Sequence, residues 1–255
     1  MDAEKQVMVP EYTDQDYSAD QGAGLADAPN QVYPRIRMMA ATNPDAQKKD
    51  SKLYGKKPGT IYCPEADLYA DSVIMVPCLI TTSYAAWEHN DGTDAMPVAV
   101  YHDRPAEAKW YPGDGLKLPS GLYVVENHTY YTIIWIDGVK TIKSRMIFSR
   151  TSLKVSREFV SRLLLPITSK MGQKTYVPPI YARAWHVEPM QKVESNRAWH
   201  TWKIHDKPYA WLSPDSDLYG DARAYMHEAT KYAETLKSVP AEQAIKAASD
   251  DDIPF

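Results

Sequence analysis

The sequence predicts a mainly β domain with helices, set between acidic ends, and three observations predict it. Short runs rich in Val, Ile and Tyr recur between glycines and prolines from Tyr54 onward, the pattern of strands separated by turns. Two stretches, over 151–164 and 217–237, instead repeat their apolar residues at helical spacing. Residues 1–32 and 239–255 show neither period and are polar and acidic, so they read as a flexible arm and a flexible tail.

Between those ends the fold begins near Tyr33. Residues 61–63 make a short strand and 72–82 the first long one; Pro77, lacking an amide hydrogen, places that stretch at a sheet edge or marks a bulge. Residues 88–119, with Asp91-Gly92, Pro97, Pro105, Pro112, Gly113 and Gly115, form an insertion that carries edge strands or a lid. Residues 122–125, 130–136 and 141–148 read as a meander in which Asp137-Gly138 turns a hairpin. Alternation puts Tyr131, Ile133 and Trp135 on one face and Tyr130, Thr132 and Ile134 on the other, and one of these faces is core.

In TSLKVSREFVSRLLLP the residues Val155, Phe159, Val160, Leu163 and Leu164 share a helical face, Thr151 or Ser152 caps the start, and Pro166 ends the helix. Residues 180–187 and 197–204 are two further strands. Residues 218–236 form an amphipathic helix that turns Ala222, Tyr225, Met226, Ala229, Ala233 and Leu236 inward. Strands, one helix and two more strands is the order of an OB-fold, a five-stranded Greek-key barrel, and other small barrels give a similar order. Residues 33–238 are then one domain with its C-terminal helix over 217–237.

At 255 residues and 44% apolar, the chain can bury one sizeable core. It has no run of about 18 apolar residues, and its acidic first residues lack the basic and apolar regions of an export signal, so the expected location is cytoplasmic. Cys63 and Cys78, without a Cys-x-x-Cys spacing, read as reduced, buried thiols.

The net charge of −4 hides a segregation. Residues 1–34 hold seven acids against Lys5, whereas 139–207 hold fourteen Lys and Arg against four acids. Single-stranded nucleic acid needs cations for its phosphates and flat rings for its bases. The basic segment has both: Lys140, Lys143, Arg145, Arg150, Lys154 and Arg157 run from the meander into the helix, and Arg183, Trp185, Lys192, Arg197, Trp199, Trp202 and Lys203 interleave on the last strands. With Trp135, the tryptophans Trp185, Trp199 and Trp202 are the expected stackers, although any single ring can equally be core.

Other chemistry has little footing. His186, His200 and His205 have no acid or cysteine at metal-ligand spacing, so neither metal nor cofactor is expected. The basic segment has too few carboxylates for an acid–base pair, and Pro112-Gly113-Asp114-Gly115 lacks the Gly-Lys-Ser/Thr of a nucleotide loop, so no enzyme is expected.

The sequence closes with Asp250, Asp251, Asp252, Ile253, Pro254 and Phe255. Aspartates favour basic surfaces, Pro254 stiffens the approach, and Phe255 couples an apolar ring to a carboxylate that a cation can clamp. DDDIPF resembles the C-terminal tip of bacterial single-stranded DNA-binding proteins, which implies recruitment of replication, recombination and repair proteins. The remainder is similar to bacteriophage single-stranded DNA-binding proteins of the T7-like type, through YPRIRMM (33–39), TSLKVSREFVSRLL (151–164), KVESNRAWHTWKI (192–204) and the helix after Asp217. That resemblance implies one OB-fold, a long C-terminal helix, binding indifferent to sequence, a tail that competes with DNA, and a place in the host cytoplasm. A single-strand annealing protein, or a decoy that uses the tail to capture host proteins, are the alternatives.

Overall fold

In the computed structural model the described residues are 33–41, 43, 46–89, 97–136, 140–168, 174–194 and 197–238. The chain divides after Val32, and the architecture below is that of the second unit. The arm over 1–32, the tail over 239–255 with its six terminal residues, and the Asp137-Gly138 turn lie outside the described residues.

The strands in chain order are β1 (Arg35–Met38), β2 (Ile61–Cys63), β3 (Leu68–Ala70), β4 (Val73–Trp87), β5 (Ala99–Tyr101), β6 (Lys109–Tyr111), β7 (Gly115–Lys117), β8 (Tyr123–Ile136) and β9 (Lys140–Ser149). Helix α1 (Leu153–Leu163) follows, then β10 (Ile167–Thr168), β11 (Thr175–Tyr176), β12 (Arg183–Glu194), β13 (Arg197–Ile204), β14 (Ala210–Trp211) and helix α2 (Asp217–Ser238). The main sheet runs β13-β12-β4-β8-β9-β1-β2-β3 and curls into a half-barrel. Along this path the neighbours are antiparallel except β1, which lies parallel to β9.

Period-two alternation gives this sheet an apolar layer on each face, and a different helix covers each layer. Inside the curl, Tyr130 and Ile134 of β8, Met146 and Phe148 of β9, and Trp185 and Val187 of β12 pack with Phe159 and Leu163 of α1. The two ends of the sheet meet in the same layer, since Ile61 and Leu68 join Trp202 and Ile204 there. Phe148 and Trp202, on strands four places apart in the sheet order, stand 6.0 Å apart across it. On the outer face Val76, Cys78, Tyr131, Ile133 and Ala184 receive Ala222, Tyr225 and Ala229 of α2. Both faces of β8 are therefore buried.

Pro77 sits at a bulge between Pro77 and Leu79, two residues beyond Met75, where pairing to β12 has ended. Its missing N–H thus falls where the ladder is already interrupted. The insertion contributes β5, β6 and β7, and apolar side chains of β5 and β7 help close a small separate cluster around Ala108 and Leu118. Strand β12 extends to Glu194, seven residues past the expected end at 187, and residues 180–182 are a short turn of helix rather than strand. Strands β1, β3, β10, β11 and β14 have no counterpart in the sequence reading, and β8 runs unbroken through the expected break between 125 and 130, where its pairing to β4 continues.

Helix α1 departs from expectation at two positions. Leu164 is 61% exposed, because the helix ends at Leu163 and the chain turns outward toward Pro166. Ser152 caps not α1 but the single turn before it, accepting from the Ser149 amide at 2.8 Å and donating to the Ser149 carbonyl at 2.7 Å. The helix is instead tied to the sheet by a buried polar line. Glu126 Oε1 meets His128 Nε2 at 2.7 Å, His128 Nδ1 meets Ser156 Oγ at 2.7 Å, and Ser156 Oγ meets the Tyr130 hydroxyl at 2.7 Å. Ser156 is fully buried, so this carboxylate–imidazole–hydroxyl array works as a strut and presents no nucleophile to solvent.

Both cysteines are free and buried, and burial pushes each thiol up to about 12, which keeps them protonated and unreactive. No helix among the described residues is long and apolar enough to cross a membrane.

Candidate nucleic-acid interface

A base-stacking ring must be reachable from solvent, and this requirement divides the expected tryptophans. Trp185 and Trp202 are 2% and 5% exposed and belong to the inner layer. Both are corrections to the sequence reading. Trp185 alternates with Val187 and Trp202 with Ile204 on the inward side, and Trp185 stands edge-on to Phe159 at 4.9 Å. Trp135 is half-buried on the outer face, edge-on to Tyr209 at 6.4 Å. Trp199 is half-buried and sits directly across from Lys192 in the β12–β13 hairpin.

The most exposed rings are ones the sequence reading passed over. Trp110 is 71% exposed and Tyr111 stands beside it at the tip of the β6–β7 hairpin, next to Lys109. Lys117 on the partner strand lies 4.2 Å from the Tyr123 ring and is paired to Asp114 at 2.9 Å. Tyr209 just before β14 and Trp211 within it are 60% and 52% exposed. The missed signal was local: Lys-Trp-Tyr just before Pro-Gly, and Tyr-x-Trp after Lys-Pro, are aromatics in turn contexts, where nothing covers them.

Arg183 is buried, not a phosphate ligand. Its Nη2 donates to the Leu163 carbonyl at 2.7 Å, and its guanidinium lies 5.6 Å from the Trp185 ring and 5.4 Å from Trp211. It supports the exposed Trp211 from beneath, and burial lowers its pKa.

Tertiary pairing also neutralises part of the basic segment, with acids from outside it for Lys143 and Arg157 and from within it for Lys203. Lys143 holds both oxygens of Glu228 on α2, at 3.0 and 3.1 Å. Arg157 pairs with Glu126 at 2.7 Å and Lys203 with Glu188 at 2.6 Å. Lys154 projects from α1 into solvent, and Lys192 is partly exposed. Arg150 takes a left-handed conformation, φ 48°, at the turn into α1. The side chains of Lys140 and Arg197 lie outside those described.

Arg145 belongs to a cluster. The parallel pairing of β1 and β9 sets Arg35 directly beside it, and Arg37 follows two residues along the same face of β1. Burial first, and then the neighbouring Arg37 and Arg145 guanidinium groups, lower the Arg35 pKa to about 10. Glu65, 3.7 Å from Arg37, is the carboxylate that faces this group among the described residues. Three guanidinium groups brought together concentrate positive potential on one spot, which suits a phosphate. The candidate interface thus comprises exposed rings on the β6–β7 hairpin and around β14, the half-buried Trp199 on the β12–β13 hairpin, and an arginine cluster where β1 pairs with β9.

A family model described as Pam3 phage gp34-like protein matches residues 3–235. No curated protein and no solved structure matches the chain.

Proposed function

The chain belongs to the Pam3 phage gp34-like protein family, and we propose that it is a non-enzymatic single-stranded DNA-binding protein that protects single strands during phage replication, recombination or repair. The observation that carries this reading is the pair of rings left in solvent beside a cation, Trp110 and Tyr111 with Lys109, together with the half-buried Trp199 opposite Lys192. Accessible rings grouped with cations offer the two contacts that a single strand needs, a flat face for a base and a charge for a phosphate. Bases would stack on these rings while Arg35, Arg37 and Arg145 neutralise phosphates.

An OB-type barrel fits the same residues. Its five strands would be β4, β8, β9, β12 and β13, with α1 between the third and fourth and β12 antiparallel to β4. In that scheme the exposed rings of β6–β7 lie on the connection between strands one and two, one of the loops through which OB-folds hold single strands, and Lys192 and Trp199 pair near the outer end of strands four and five. Strand β1, added in parallel to β9, is this chain's own addition. Residues 250–255 would compete for the same cations and, once displaced by DNA, recruit replication and recombination proteins.

The test is a fluorescence titration of the intact chain with single- and double-stranded oligonucleotides across a salt series. Single strands should quench tryptophan emission and bind more tightly than duplex. Replacing Arg35 with Gln should lower the salt slope by about one unit, and deleting residues 250–255 should tighten binding at low salt. Equal or better affinity for duplex would end the reading.

A further inference from the structure

The hairpin register gathers three side chains that stand apart in the sequence. His186 and Glu188 are two residues apart on β12 and project from one face. His205 follows β13 opposite His186, and its amide donates to the His186 carbonyl at 3.1 Å. His186 Nδ1 lies 2.9 Å from His205 Nε2, which lies 3.2 Å from Glu188 Oε1. All three ligand atoms fall within 4.8 Å of one another, and all three residues are partly exposed.

We propose that His186, Glu188 and His205 form a binding site for a divalent transition metal of the zinc class. Bonds of about 2.0–2.1 Å to nitrogen or oxygen put neighbouring ligands about 2.9–3.4 Å apart, and the 2.9 and 3.2 Å spacings that His205 makes to His186 and Glu188 fall in that range. Two imidazoles and one carboxylate select zinc-like ions over magnesium or calcium, which require mostly oxygen. In the empty site one N–H bridges the two ring nitrogens. The metal takes its place without net loss of a proton, because His205 can carry its hydrogen on Nδ1 and His186 on Nε2. The remaining coordination positions face solvent and take water. Lys203, 2.6 Å from Glu188 Oε1, competes with the metal for that oxygen. The acid that the sequence reading found wanting is Glu188, which strand alternation and not helical spacing places beside His186. A metal there would staple the base of the β12–β13 hairpin that carries Lys192 and Trp199, and the site stands whether or not the hairpin binds DNA.

The experiment is calorimetric titration of the full chain, stripped with a chelator and exchanged into metal-free buffer, with zinc chloride at neutral pH, and with magnesium chloride in parallel. One zinc per chain with micromolar or tighter affinity is expected, and no response to magnesium. His186→Ala and His205→Gln should each weaken it at least about tenfold, Lys203→Met should strengthen it, and His200→Ala, a histidine packed against Gly59, should leave it unchanged. Far-UV circular dichroism verifies that each variant is folded. The proposal fails if the intact chain takes up no zinc, or if the His186→Ala/His205→Gln double variant binds zinc as the intact chain does.

Discussion

Replacing Trp185 with Ala separates a core ring from a DNA-facing one. The side chain is 2% exposed and stands edge-on to Phe159 at 4.9 Å. Two guanidinium groups lie against it, Arg183 at 5.6 Å and Arg162 at 5.9 Å. Truncating a buried tryptophan costs about 3–5 kcal/mol, from lost transfer energy and the cavity left behind, and about 0.5–1.5 kcal/mol of that is the edge-to-face contact. With a urea m-value of roughly 2–3 kcal/mol/M, the unfolding midpoint should fall by about 1–2 M. Total stabilities of about 5–15 kcal/mol leave such a variant folded in dilute buffer at low temperature. The assay is urea unfolding followed by far-UV circular dichroism, paired with oligonucleotide anisotropy without urea. The midpoint should drop while the affinity of the folded variant stays within about twofold, a change below roughly 0.5 kcal/mol. An unchanged midpoint together with lost DNA affinity would refute the burial argument and return Trp185 to the binding surface.

Trp110→Ala should give the opposite pattern, with a smaller change in midpoint and single-strand affinity reduced by roughly 5–150-fold, equivalent to about 1–3 kcal/mol per stacked base; affinity equal to that of the intact protein would remove the β6–β7 hairpin from the interface. Gly59→Ala tests the approach of the two sheet ends: at φ 90° an added Cβ would lie 2.7 Å from His200 Cδ2, so a loss of more than about 1 kcal/mol is expected. Adding His200→Ala should recover the steric part but not the backbone part, and full recovery would contradict the strained φ. Alkaline titration is the fourth test. Burial raises the phenols of Tyr33, Tyr130 and Tyr131 from 10.0 to about 12. Because their folded pKa exceeds the unfolded one, their contribution is fully present below pH 10 and is lost as pH rises toward 12. Stability should therefore fall steeply across that interval, and Tyr131→Phe should make the fall shallower by up to about 1.4 kcal/mol for each pH unit crossed; a variant whose alkaline limb superimposes on that of the intact chain would show that Tyr131 is not titrating against burial.

The local text of this chain determined whatever one element decides for itself. Strand β13 spans the predicted 197–204, and α2 buries Ala222, Tyr225 and Ala229 as the helical period requires. Pro77 marks a bulge because a residue without an amide hydrogen disrupts a ladder wherever it sits. The basic segment was legible as charge, but its neutralisation was not, since Glu126 and Glu228 reach Arg157 and Lys143 only once the sheet and α2 are assembled.

What depended on partners required the tertiary structure. Alternation shows that Trp185 and Trp199 point to opposite sides of their hairpin; it cannot show which side will be closed by α1 and the opposite end of the curled sheet. Tyr130 and Tyr131 were divided correctly between two faces, yet both are core because α2 returns from the far end of the chain to cover the outer one. Arg35 and Arg145, 110 residues apart, become neighbours through a parallel pairing that leaves no local pattern. His186, Glu188 and His205 converge for a similar reason. A strand's residues set its period, but register and coverage are set by contacts between distant segments, so this sequence by itself identified rings and charges while the packing decided which of them meet solvent, one another or a ligand.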